Sequence, residues 1–166
     1  MLLFDHKVLN EKRAGSNRIY GEVRKFMKSV KVRIASVMND GQEQQKTEHV
    51  YTGCMAEKNG KIYVIYDEHA ESGLEGARTT LKWDDERVVL IRSGSLEHRQ
   101  EFARGYTDHS FYKTPYINIP LETFTKYLYT SFQDSVWHID IEYTLSHGDR
   151  PYGDMKILID VEEENA

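Results

Sequence analysis

Trp137-His138-Ile139-Asp140-Ile141-Glu142-Tyr143-Thr144-Leu145-Ser146 is the stretch on which the fold turns. Apolar and polar side chains alternate along it without a break. Successive side chains of a strand point to opposite faces. Trp137, Ile139, Ile141, Tyr143 and Leu145 therefore face a core, and His138, Asp140, Glu142, Thr144 and Ser146 face water. One dry face and one wet face is the signature of an antiparallel sheet rather than of a parallel sheet covered on both sides.

Outward from this strand the pattern repeats. Beyond a Gly/Pro-rich loop over His147–Asp154, the residues Met155, Ile157, Ile159 and Val161 form a closing strand. Upstream, Val30, Val32 and Ile34 alternate with Lys31 and Arg33, and Asn39-Asp40-Gly41 marks a tight turn, since these residues tolerate positive φ. A long strand runs through Val50, Thr52 and Cys54, Asn59-Gly60 turns the chain, and Ile62, Val64 and Tyr66 return it. Further strands are predicted over Ala77–Trp83, Arg87–Ser93, Leu96–Arg104, Ser110–Tyr116 and Ile119–Tyr129, with Pro115 and Pro120 at an edge or corner. No helical period is sustained after residue 30.

Eight to ten strands joined mostly by hairpin-length connections predict an all-β, antiparallel, up-and-down closed barrel, which leaves no sheet edge open. Eleven Tyr, six Phe and two Trp against three Pro in 166 residues fit a strand-rich chain, and an apolar share of 39% fits a sheet with one wet face. The length allows one domain. Residues 28–166 form the barrel, and residues 1–27 read as an N-terminal arm, either loose or a short helix. The arm carries a balance of +3, leaving −8 for the remainder. Met27 reads as an alternative translation start to Met1, since regular structure is expected to begin just after it.

The net charge of −5 argues against nucleic acid and anionic membrane as partners, both of which select basic surfaces. A single cysteine, Cys54, rules out an intramolecular disulfide. In a strand it is expected to be a small buried hydrophobe rather than a nucleophile. The apolar start Met1–Phe4 is too short for a secretion signal, and the chain is expected in the cytoplasm.

With the strands placed, the chain from Val30 to Val161 resembles the YwiB-like proteins, a bacterial family of unknown function. The resemblance rests on Tyr66 and Glu68 ending a strand, Thr79-Thr80-Leu81-Lys82, Val88-x-Leu90-x-Arg92-x-Gly94, Phe102, Gly105, Tyr112-x-Thr114-Pro115-Tyr116, Thr125 and Tyr143. It implies a calycin-like barrel of eight strands, similar in shape to lipocalins, and lends no reaction. Ile117 stands where such proteins usually carry Gly, and the arm lies outside the resemblance.

Motifs for chemistry are sparse. His138, Asp140 and Glu142 share a strand face, but the face is the wet one, and a zinc site needs a third converging ligand with its supporting shell. Ser93-Gly94-Ser95 is a hairpin turn rather than a nucleophile elbow, and no phosphate loop or dinucleotide fingerprint occurs, so neither metal nor cofactor is expected. The informative signal is polar residues in phase with apolar ones. Arg92 follows Val88 and Leu90, Tyr66 and Glu68 follow Ile62 and Val64, Thr123 and Thr125 follow Ile119 and Leu121, Tyr112 pairs in phase with Thr114, and Tyr143 sits on the inner face of its strand. A buried arginine must be paired, and Glu68 is the expected partner.

Two readings follow: a structural pair at one mouth of the barrel, or a group of residues that holds a ligand. The expectation is a non-enzymatic barrel that binds one small anionic or amphipathic molecule through Arg92, Glu68, Tyr66, Tyr112, Thr114, Thr125 and Tyr143. The rivals are an interaction protein with a filled core and an enzyme using interior acid and tyrosine groups. The assembly state stays open.

Overall fold

The computed structural model describes residues 27–164, so the expectations for the arm lie outside the described residues. The described residues form ten strands: β1 (Lys28–Asn39), β2 (Gln44–Lys58), β3 (Lys61–Asp67), β4 (Ala77–Trp83), β5 (Val88–Gly94), β6 (His98–Phe102), β7 (Thr107–Lys113), β8 (Asn118–Gln133), β9 (Val136–His147) and β10 (Arg150–Glu163). A single 3-10 turn, Ala70–Ser72, interrupts the loop between β3 and β4. Among the described residues no helix is long and apolar enough to cross a membrane.

The hairpins are closed by local chemistry. Asn59 and Gly60 take φ of 53° and 75°, the left-handed pair that a two-residue hairpin needs. Asp134 and Ser135 make the same turn at 53° and 64° without a glycine. Between β1 and β2 the Asp40 carboxylate accepts the backbone N–H groups of Gln42 and Glu43, both at 2.8 Å. These bonds hold its pKa below the ordinary value.

Every ladder is antiparallel, in the order β6-β5-β4-β3-β2-β1-β10-β9-β8-β7. The chain thus meanders outward in both directions from the β1–β10 pair. The two outermost strands meet at one bridge, Glu97 with Lys113, which leaves the barrel nearly closed. Pro120 lies where β8 pairs with β7, before its pairing with β9 begins at Glu122, so its missing donor is harmless.

The interior has two ends. One is apolar and filled: Val30, Val32, Ile62, Trp83, Val88, Phe102, Leu128, Ile139 and Val161 are all buried, and Trp137 packs edge-on to Trp83 at 6.2 Å. The other end carries Glu68, Thr79, His98, Gln100, Ser110, Thr123 and Thr125, also buried. Partly buried Ile34, Leu145, Met155 and Ile157 pack against the core cluster.

Several expectations are corrected. The ten strands fall within the eight to ten predicted, two more than the eight the resemblance implies. The region His147–Asp154 is no open loop, because β10 resumes at Arg150 opposite His147 and a bulge between Pro151 and Gly153 absorbs the irregularity. Cys54 is exposed, because the inward phase of β2 is Thr47, His49, Tyr51, Gly53 and Met55, with Tyr51 and Met55 buried. Gly53 is needed at its place: a Cβ there would lie 2.6 Å from the Ile65 carbonyl oxygen.

Candidate functional site

The polar end is built by strand parity. The alternation of β3 carries Tyr66 and then Glu68 inward after Ile62 and Val64, all of them buried. On β5, Arg92 stands opposite Thr79 of β4 and His98 of β6, both of them inward and buried. The neighbouring phase does not disturb this arrangement, although Val89 and Ile91 are buried as well.

Glu68 is the anchor. Its side chain is 2% exposed, and it accepts hydrogen bonds from the Tyr51 hydroxyl at 2.8 Å and the Thr79 hydroxyl at 2.7 Å. The Arg92 Nε lies 3.8 Å from the Glu68 carboxylate, an ion pair too long to be a hydrogen bond. Arg92 retains 22% of its side-chain exposure, so the guanidinium stands at the boundary between core and mouth. The expected pairing is present. Tyr51 and Thr79 complete the pair from the side of the acid.

Around this pair the phenols are held neutral. Burial, followed by the hydrogen bond to Glu68, pushes Tyr51 up to about 12. Burial pushes Tyr143 up to about 12 and Tyr66 upward as well. His98 moves the other way, down to about 4, because burial and then the Arg92 charge disfavour the imidazolium. Its Nε2 lies 3.0 Å from the Ser110 hydroxyl. Gln100 donates to the Thr123 hydroxyl at 2.9 Å.

Several buried polar atoms here lack a hydrogen-bond partner: Arg92 Nε, Tyr66 OH, His98 Nδ1 and Thr125 Oγ1. Each belongs to a side chain facing the same half of the interior. Leaving such a group unsatisfied costs about 1–3 kcal/mol. Along the wall, the rings of Tyr66, Tyr51 and His69 stack in a column, at 4.3 Å and then 4.6 Å, rising from the buried core toward the mouth.

The structure brings Arg92, Glu68, Tyr66 and Tyr143 into one neighbourhood, with Thr125 opposite Tyr143 across β8 and β9. Tyr112 joins through its ring, 5.5 Å from that of His98. Thr114 is not part of it. Its hydroxyl accepts the backbone N–H groups of Tyr116 and Ile117 in the turn between β7 and β8. Tyr51, Thr79, His98 and Gln100 are members that the sequence reading missed. For Tyr51 the obscuring signal was the outward phase of β2, where Val50 and Cys54 look more apolar than His49 and Thr47. His98 and Gln100 were legible only by counting back in phase from Phe102.

The outer face of β9 is wet but not idle. His138 Nδ1 lies 2.6 Å from Asp160 of β10, and Lys156 lies 3.7 Å from Glu142. Among the described residues no three His, Cys, Asp or Glu side chains gather as a metal site would require.

Comparison with known proteins agrees with the architecture. The chain is 28% identical over 120 residues to the uncharacterised β-barrel protein YwiB of Bacillus subtilis (strain 168), covering 72% of this chain and 83% of the relative. The crystal structure of that Bacillus subtilis ywiB protein superposes with a TM-score of 0.76 at 24% identity, over 88% of this chain and 99% of the other, which is a likeness of fold. Residues 32–159 match a family described as a domain of unknown function, and the chain belongs to that family, DUF1934.

Proposed function

We propose that the polar end of the barrel binds one small anionic or amphipathic molecule. The observation that carries this reading is the Arg92 guanidinium. It stands between core and mouth with its Nε making no hydrogen bond, beside an acid that Tyr51 and Thr79 already satisfy. A guanidinium has five N–H donors and no acceptor, and a carboxylate or similar head group would take them in pairs. Tyr66, His98 and Thr125 offer further polar atoms in the same half, and Leu145 and Met155, cross-strand neighbours of Thr123 and Tyr143, supply partly buried apolar surface for a short tail. A barrel of this size holds at most one small ligand.

The likeness of such barrels to calycins and lipocalins adds support by analogy of fold alone. A catalytic role has less behind it, because burial drives the three phenols away from the pH range in which they would serve as bases. A macromolecular partner is the second reading, favoured by Phe111, Phe124, Tyr127 and Tyr129, all exposed on β7 and β8.

Calorimetric titration of decanoate into the parent and into Arg92→Met tests the proposal. One saturable site is expected in the parent, weakened about tenfold or more in the variant, as befits loss of a charge-assisted hydrogen bond. Equal binding by both proteins, or none by the parent, would remove the anionic head group from the reading.

A further inference from the structure

Every other pair of neighbouring strands is joined by a ladder of at least five registered residue pairs, whereas β6 and β7 share a single backbone bridge. That bridge joins Glu97 and Lys113 through two bonds of 2.8 and 2.9 Å, just beyond the start of β6 and at the end of β7. Along β6 itself the remaining ties across the seam involve side chains, while the loop after it is bonded to β8 by its backbone, Gly105 N–H to the Thr125 carbonyl at 2.9 Å and Thr125 N–H to the Tyr106 carbonyl at 3.1 Å. Asp108 Oδ2 accepts the Glu101 backbone N–H at 3.2 Å, His98 Nε2 meets the Ser110 hydroxyl at 3.0 Å, and Gln100 reaches past β7 to Thr123 of β8 at 2.9 Å. β6 is also the shortest strand, five residues, with left-handed glycines flanking it at Gly94 and Gly105.

The seam lies beside the polar end. His98 is the direct neighbour of Arg92 across β5 and β6. Separating β6 from β7 would therefore uncover the guanidinium, Tyr112 and the hydroxyl-lined wall, while leaving the ladder from β5 round to β8 intact. Local opening follows the weakest set of contacts rather than the mean stability.

We propose that the β6–β7 seam is the lateral gate of the barrel, opening as a unit and giving small molecules their path to the polar end. The path rests on the binding reading above, whereas the opening itself stands on the seam alone. The registered pair supplies the test. Glu97→Cys with Lys113→Cys, in a Cys54→Ser background, places two thiols on facing residues of a hydrogen-bonded antiparallel pair, where the Cα separation suits a disulfide.

Hydrogen exchange followed by mass spectrometry reads the opening without any ligand. With the thiols reduced, amides of β6 and β7 should exchange about a hundredfold faster than those of β9 and β10, and oxidation should slow them about tenfold or more while leaving β9 and β10 unchanged. Equal protection of the seam and the core in the reduced protein would overturn the gate. Stopped-flow mixing with 1-anilinonaphthalene-8-sulfonate then reads the path. Slower association in the oxidised protein at unchanged affinity supports it, and identical association rates overturn it. Should the probe fail to bind even the parent at an Arg92-dependent site, the binding reading falls, and the exchange result still decides whether the seam opens.

Discussion

The apolar and polar ends of the interior are made by the same alternating strands, and they differ in what occupies the inward positions. At one end Trp83, Val88, Phe102, Leu128 and Val161 pack together, and none of them has a buried side-chain polar atom left without a partner. At the other, Glu68, Arg92, Tyr66, His98 and Thr125 occupy equivalent positions, and several of their polar atoms remain without partners. Stability needs only the first arrangement. A polar interior with unsatisfied atoms is costly, and that cost is the ground on which the binding proposal rests.

Substitutions that trade one end against the other test this contrast. Phe102 is buried at the apolar end, with its ring 4.9 Å from that of Tyr143. Phe102→Ala should lower the unfolding free energy measured in urea by about 3–5 kcal/mol, the usual result of emptying an aromatic core position. A loss below about 1 kcal/mol would mean that this end is not close-packed.

At the polar end, Arg92→Met should cost less, about 2 kcal/mol, because the ion pair is long and the guanidinium partly exposed. Converting Glu68 to Leu in the same protein should recover part of the loss, since the stranded acid goes with it. Additive losses in this double-mutant cycle would show that the two residues do not interact.

His98 gives the contrast a pH dependence. Its folded pKa lies at about 4, below the ordinary value of 6.5, so the neutral ring is favoured in the fold. The stability it contributes is therefore present above about pH 6.5 and is lost as the pH falls toward about 4. Between about pH 7 and pH 4.5, the parent should lose about 2–3 kcal/mol more than a His98→Gln variant. Parallel pH profiles would place His98 in contact with water. The smallest effect belongs outside the barrel. His138→Thr breaks a half-exposed pair with Asp160 and should change stability by at most about 1 kcal/mol in the same assay.

The sequence was legible where one residue type answered one physical demand. Asn59-Gly60 announces its hairpin because few other pairs accept two positive φ values, while Asp134-Ser135 makes the same turn without that cue. The strand from Trp137 reads cleanly because its two faces meet opposite environments. The Arg92–Glu68 pair was legible because a charge in phase with aliphatic residues demands a counter-charge. Tyr51 was not, because the inward face of β2 is itself polar and its outward face carries Val50 and Cys54, which inverts the cue. Thr114 shares its phase with Tyr112 yet lies past the end of β7, where the turn claims its hydroxyl.

The distinction between a packed end and a binding end is tested most directly by methyl NMR of the protein titrated with decanoate. Shifts should concentrate on Leu145 and Met155 beside Thr123 and Tyr143, leave Val88, Ile139 and Val161 unmoved, and disappear in Arg92→Met. No shifts at all, or shifts spread over the apolar core or the outward methyl groups of Ile117 and Leu158, would contradict a ligand site at the polar end.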